Sequence, residues 1–227
     1  MAEVDSFLAG QSTASRLFYR FARALVHGLC LVFFRVRVVG RENIPKTGAF
    51  VVAPIHRSNI DIPLVGIITK RRLRFMGKDS LWKKKPAAVL LSALGGFPVT
   101  RGSADREALK RCIQVLDAGE PLVLFPEGTR QSGNTVKPLM DGSAYIAVKA
   151  GVPIIPVGVG GSEAVMPKGA KFLRFKKCVL VVGKPITAQV DAEGRVPRSA
   201  VKDVTEQLSG QLQILFDDAR QRAGMSD

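Results

Sequence analysis

Three short stretches, "AFVVAP" (49–54), "PIIPVGV" (153–159) and "CVLVVG" (178–183), are almost free of polar side chains. A strand with one face in water alternates apolar and polar residues, whereas a strand apolar at every position must be covered on both faces. Amphipathic segments of helical period lie among them. In "DREALKRCIQVLDAG" (105–119), Ala108, Leu109, Cys112, Ile113 and Leu116 share one face, and Gly119 ends the segment. Residues 197–221 do the same through Val201, Val204, Leu208, Leu212 and Leu215. Further strands are expected at 35–39, 72–77, 96–101 and 121–128. Further helices are expected from near Asn59 to Ile68, over 80–94 with a break near Pro86, and over 140–151. The fold class is therefore α/β, with a mostly parallel or mixed central sheet flanked by helices. A length of 227 residues suits one such domain with an appendage, divided here as 1–34 and 35–227.

The appendage is "SRLFYRFARALVHGLCLVFF" (15–34), which reads as a helix. Arg16, Arg20, Arg23 and His27 recur at helical spacing and form one narrow stripe, and nearly everything else is apolar. Two readings are open: a helix lying in a membrane interface, or a core helix whose arginines reach solvent. The breadth of the apolar face favours the interface. The most apolar run, 24–34, is shorter than the roughly 20 residues a membrane crossing needs. The first residues, MAEVDS, lack the basic region of a secretion signal.

A formal net charge of +15 calls for an anionic partner: nucleic acid, a membrane surface or phosphorylated ligands. The basic runs "KRRLR" (70–74), "KKK" (83–85) and "KGAKFLRFKK" (168–177) have apolar neighbours, Leu81, Trp82, Phe172, Leu173 and Phe175 among them. That mixture suits an anionic bilayer. A nucleic-acid binder would be expected to carry a helix-turn-helix, a finger or an aromatic RNA platform, and no such signature is present. The three cysteines, Cys30, Cys112 and Cys178, are far apart and form no C-x-x-C, so no metal site is expected and buried reduced thiols are.

Three polar clusters follow apolar strands, where α/β sheets collect their ligands. In "PIHRSNIDIP", His56 and Asp61 are five residues apart. On a regular helix that offset separates two side chains by roughly 140°, so they meet only if the backbone bends between them. Ser58 and Asn59 suit such a bend, with Asp61 in the first turn of the next helix. A carboxylate on one imidazole nitrogen makes the other a better base. The alternative is a capping box in which Asp61 serves only backbone N–H groups. No G-x-S-x-G nucleophile elbow is present, so the chemistry expected of the pair is direct general-base activation of a substrate hydroxyl. In "FPVTRGS", Arg101 is a candidate for bidentate phosphate binding. In "LFPEGTRQSG", Gly128 permits a tight turn with exposed N–H groups and Arg130 adds charge. Glu127 would repel phosphate and is expected to clamp an arginine or a substrate hydroxyl.

Together these blocks resemble the glycerolipid acyltransferases, and among them the 1-acyl-glycerol-3-phosphate (lysophosphatidic acid) acyltransferases. His56-x4-Asp61, "GGFPVTR" ending at Arg101, "FPEGTRQSG" (125–133) and "GVPIIPVGV" (151–159) stand in the family's order. The H-x4-D pair followed about 65 residues later by F-P-E-G-T-R is a specific combination. The resemblance implies that His56 deprotonates an acceptor hydroxyl that attacks an acyl thioester, and that Asp61 orients His56. It implies that Arg101, Glu127, Gly128, Thr129 and Arg130 hold the acceptor's phosphate and glycerol, and that Pro153 and Pro156 shape the acyl or donor side. It implies no cofactor and no metal, acyl-CoA or acyl carrier protein as co-substrate, and a place on the cytoplasmic face of the cell membrane. The chain departs from many relatives at Ile55, Arg57 and "VKPLMDGSA", and lysophosphatidic acid, glycerol-3-phosphate, another lysophospholipid or a glycolipid stay open as acceptors.

Overall fold

In the computed structural model, residues 12–99, 106–187 and 195–225 are described. A seven-stranded sheet forms the centre, in the order β1-β7-β6-β2-β5-β3-β4. The strands are β1 (Arg37–Val39), β2 (Val51–Pro54), β3 (Arg74–Lys78), β4 (Gly96–Val99), β5 (Leu122–Val123), β6 (Ile154–Gly160) and β7 (Val179–Val182). Neighbouring strands pair in parallel except β6 with β7, so β1 and β7 run against the other five. The sheet is mixed, as expected. Every residue of β2, β6 and β7 is buried, which their unbroken apolar sequences demand.

The helices are α1 (Thr13–Phe34), α2 (Asp61–Gly66), α3 (Lys85–Ala93), α4 (Arg106–Asp117), α5 (Gly142–Lys149), α6 (Ser162–Val165) and α7 (Arg198–Ala223). One group, α4, α5 and α7, packs together and on β5, β6 and β7, while α1 packs against α2 and α3. At Gly158 and Gly160 an added Cβ would lie 2.2 Å from the carbonyl oxygens of Leu215 and Ala219. Only glycine lets α7 lie this close on the middle of the sheet.

Several boundaries differ from expectation. The strand expected over 121–128 pairs only at Leu122–Val123, because Pro126-Glu127-Gly128 turns the chain away from its neighbour. The helix expected over 80–94 starts at Lys85, with Pro86 in its first turn, where a missing N–H costs nothing. Residues 79–82 form a separate 3-10 turn. The short α6 was not expected; four residues are too few to display a period. The buried face of α7 runs through Val201, Val204, Leu208 and Leu212 and then shifts to Phe216 and Ala219.

Ser12 caps α1 by accepting from the Ser15 N–H at 3.2 Å. Its last turn sends Cys30 and Phe34 into the core of the domain. Counted whole, its 22 residues are long and apolar enough to cross a membrane, which the run 24–34 alone is not. The basic stripe partly turns inward. Arg23 donates to the carbonyls of Thr69 (2.7 Å) and Ile67 (3.1 Å), acceptors just past the end of α2. The face turned to solvent instead carries Leu17, Phe21, Leu25, Leu29 and Val32.

Candidate active site

His56 and Glu127 arise from adjacent strands. β2 and β5 are in parallel register with Val52 opposite Val123. Each of the two functional residues lies four positions beyond that pair, at the C-terminal edge of the sheet. The chain then bends through Arg57-Ser58-Asn59-Ile60 before α2 begins at Asp61. Pro63 falls in the first turn of α2, where no intrahelical donor is required.

The bend brings the pair together. His56 Nδ1 lies 3.0 Å from Asp61 Oδ2. The same oxygen accepts from the backbone N–H groups of Arg57 and Ser58, both at 2.7 Å. One carboxylate oxygen thus ties the bend and contacts the imidazole, so Asp61 serves more than the backbone N–H groups alone. An ionised carboxylate can only accept, so Nδ1 carries the proton and Nε2 presents its lone pair. The His56 ring stacks on Phe125 at 4.0 Å between centroids, and 15% of its side chain is exposed. Ser58 is buried; its Oγ donates to the Met166 carbonyl at 2.8 Å and accepts from the Ile60 N–H at 3.4 Å, and it does not cap α2.

Beneath this loop is a buried ion pair. Arg57, 1% exposed, donates from Nη1 to both oxygens of Glu127 at 2.8 and 2.7 Å. Its remaining donors reach Gly133 O (3.2 Å), Thr135 O (3.1 Å) and His56 O (3.2 Å), and its guanidinium lies over the Phe216 ring. Glu127 also accepts from the His56 N–H at 2.9 Å and the Lys137 N–H at 3.1 Å. Both carboxylate oxygens are therefore engaged inside the protein, and the arginine that Glu127 clamps is Arg57. The sequence marked Arg57 only as a departure from relatives, and the available signal was one positive and one negative charge, each just past the end of an unbroken apolar strand.

Gly128 turns with φ +70°, and a Cβ there would meet Met140 Sδ at 2.5 Å. Gly128 and Thr129 are exposed at the tip of the turn, and Arg130 is half-buried. The Gln131 N–H then donates to His56 O at 2.8 Å, tying this turn to the His56 loop. Pro153 and Pro156 are not brought to that loop. Pro153 precedes β6 at the opposite edge of the sheet, its carbonyl accepting from the Val51 N–H, and Pro156 is buried within β6 beside Ala53. Arg101 lies outside the described residues. All three cysteines are buried and free, and burial pushes the thiols of Cys112 and Cys178 up to about 12, with Asp61 and Cys30 adding to the effect at Cys178. None is a ready thiolate nucleophile.

The profile of the acyltransferase family matches residues 35–160, more than half of the chain. The chain belongs to the acyltransferase family. It is 28% identical over 181 residues to the 1-acyl-sn-glycerol-3-phosphate acyltransferase of Bacillus subtilis, covering 79% of this chain and 87% of that protein. It is 27% identical over 176 residues to a chloroplastic enzyme of the same name from Brassica napus, covering 75% of this chain and 51% of the plant protein. The crystal structure of the 1-acyl-sn-glycerophosphate (LPA) acyltransferase from Thermotoga maritima superposes with a TM-score of 0.72 at 28% identity, covering 92% of this chain and 85% of that one. The resemblance carried by the four sequence blocks and the α/β fold class are both borne out. In this acyltransferase the H-x4-D block supplies the imidazole–carboxylate pair, and the F-P-E-G block supplies the acidic partner of Arg57.

Proposed function

We propose that this acyltransferase moves a fatty acyl group from an acyl thioester to the free hydroxyl of lysophosphatidic acid, giving phosphatidic acid for phospholipid synthesis. The observation that carries the reading is the 3.0 Å His56–Asp61 contact on a partly open ring. His56 Nε2 takes the proton of the acceptor hydroxyl as its oxygen attacks the thioester carbonyl. The tetrahedral adduct collapses to the ester and expels the thiolate, which recovers the proton from the imidazolium. No acyl-enzyme forms. Acyl-CoA or acyl carrier protein is the donor. Arg101 and Arg130, with the Thr129 hydroxyl, hold the acceptor's phosphate. The Gly128 and Thr129 N–H groups already donate within the turn, to Phe125 O (3.0 Å) and Glu127 O (2.8 Å), and Glu127 acts through Arg57 and the His56 N–H rather than on the substrate. The apolar outer face of α1 seats the enzyme on the cytoplasmic face of the membrane.

The test is acyl transfer by purified protein from radiolabelled acyl-CoA or acyl carrier protein to a panel of acceptors. Lysophosphatidic acid is expected to be the preferred acceptor over glycerol-3-phosphate, lysophosphatidylcholine and lysophosphatidylglycerol. Preference for another of these would keep the chemistry and replace the acceptor. No transfer to any of them would overturn the reading.

A further inference from the structure

The segment 167–177, "PKGAKFLRFKK", absorbs no part of the chemistry above, yet it exposes what a water-facing loop hides. Phe172 is 83% exposed, Leu173 49% and Phe175 66%. Lys168, Lys171, Arg174 and Lys176 between and around them are exposed too, and the segment contains no acidic residue.

Its backbone is nevertheless anchored. The Ala170 N–H donates to Pro167 O at 3.0 Å and the Arg174 N–H to Val165 O at 2.8 Å. Lys177 Nζ reaches Arg222 O at 2.6 Å. The Phe175 ring stacks on Phe33 of α1 at 5.1 Å. Phe33 adjoins Val32 and Leu29 on the outward apolar face, so loop and helix make one continuous apolar surface. The root of the segment touches the catalytic loop, where Ser58 Oγ donates to Met166 O.

We propose that residues 168–176 are a second lipid-contacting element, whose Phe172, Leu173 and Phe175 enter an anionic bilayer while Lys168, Lys171, Arg174 and Lys176 hold its headgroups. The proposal rests on the membrane reading above and deepens it: α1 supplies apolar anchoring, and this segment supplies the choice of anionic lipid and sets the membrane surface beside His56. Charge selects the occupant. Four cations with no acid attract an anionic surface, and apolar side chains at their centre need somewhere to insert. A second copy of this chain, itself +15, would bring like charge against like.

The experiment is vesicle flotation with full-length protein, using phosphatidylcholine vesicles with and without phosphatidylglycerol. Wild type is expected to float with the mixed vesicles and weakly with the neutral ones. Removing three charges, K168Q/K171Q/R174Q, is expected to abolish that preference and weaken partition into the mixed vesicles about a hundredfold, at about fivefold per charge. F172S/F175S is expected to weaken partition into both. Unchanged thermal midpoints establish that both variants are folded. L25S/V32S on α1 separates the two readings, since it is expected to weaken partition yet keep the anionic preference. If both loop variants partition like wild type, the loop proposal is overturned while α1 still stands as the anchor. If wild type floats with neither vesicle, the membrane reading falls with it. A wild-type dimer made monomeric by F172S/F175S would reassign the patch to self-association and overturn the proposal.

Discussion

The base of the His56 loop and the outer surface of α1 with residues 167–177 invert the usual arrangement in opposite ways. In the first, a full ion pair lies where hydrophobic residues belong: Arg57 and Glu127 are both buried. In the second, phenylalanines and leucines stand where charges belong. Burying the pair costs folding free energy, and exposing the apolar surface costs solubility rather than folding stability, so each marks a place that does something beyond holding the fold together. They differ in how the cost is offset. Around Arg57 and Glu127 it is offset inside the protein, by donors and acceptors drawn from several segments. At the apolar surface no other described residue covers the exposed side chains, which is what the proposed lipid contact would require.

The comparison can be broken most decisively at the base. His56→Ala is expected to lower acyl transfer by about 10³-fold or more while leaving the thermal midpoint unchanged. Residual activity within a few fold of wild type would remove His56 from the chemistry. Asp61→Asn is expected to reduce kcat comparably, since it loses the acceptor that sets the imidazole's tautomer.

Next in size is Arg57→Met, which leaves Glu127 buried and unpaired. About 3–5 kcal/mol of destabilisation is expected in urea unfolding, much of it recovered in Arg57→Met/Glu127→Leu. Activity should fall in both, because the His56 carbonyl loses the Arg57 donor in each and the His56 N–H also loses its Glu127 acceptor in the double variant. A double variant as active as wild type would mean that the pair only fills space.

On the apolar surface the expected signs reverse. Phe21→Ser/Leu25→Ser puts polar groups on exposed positions and should move folding stability by no more than about 0.5 kcal/mol per site. It should nonetheless lower binding to vesicles. A large loss of stability in detergent-free solution would show that this face is packed rather than presented.

The smallest effect is expected from iodoacetamide at pH 8. With the thiols of Cys112 and Cys178 pushed up to about 12 by burial, and that of Cys30 also raised, the native protein should keep its activity. Rapid inactivation with labelling of one cysteine would contradict the buried placement of that residue.

Much of this was present in the chain itself. Unbroken apolar runs demanded strands covered on both faces, helical periods demanded an outer layer, and the two together determined an α/β domain. The His56–Asp61 pair was legible because its partners are five residues apart and the residues between them favour a bend. Other features depended on which strands lie side by side, and periodicity reports burial without naming neighbours. The union of Arg57 with Glu127, 70 residues on, exists because β2 and β5 pair in one register. The inward turn of Arg23 depends on where the chain just past α2 leaves the carbonyls of Ile67 and Thr69. The reversal between β6 and β7 and the stacking of Phe175 on Phe33 are likewise long-range matters. Local chemistry determined which elements form and which residues can react; only tertiary structure decided which charge meets which, and which apolar face is left uncovered.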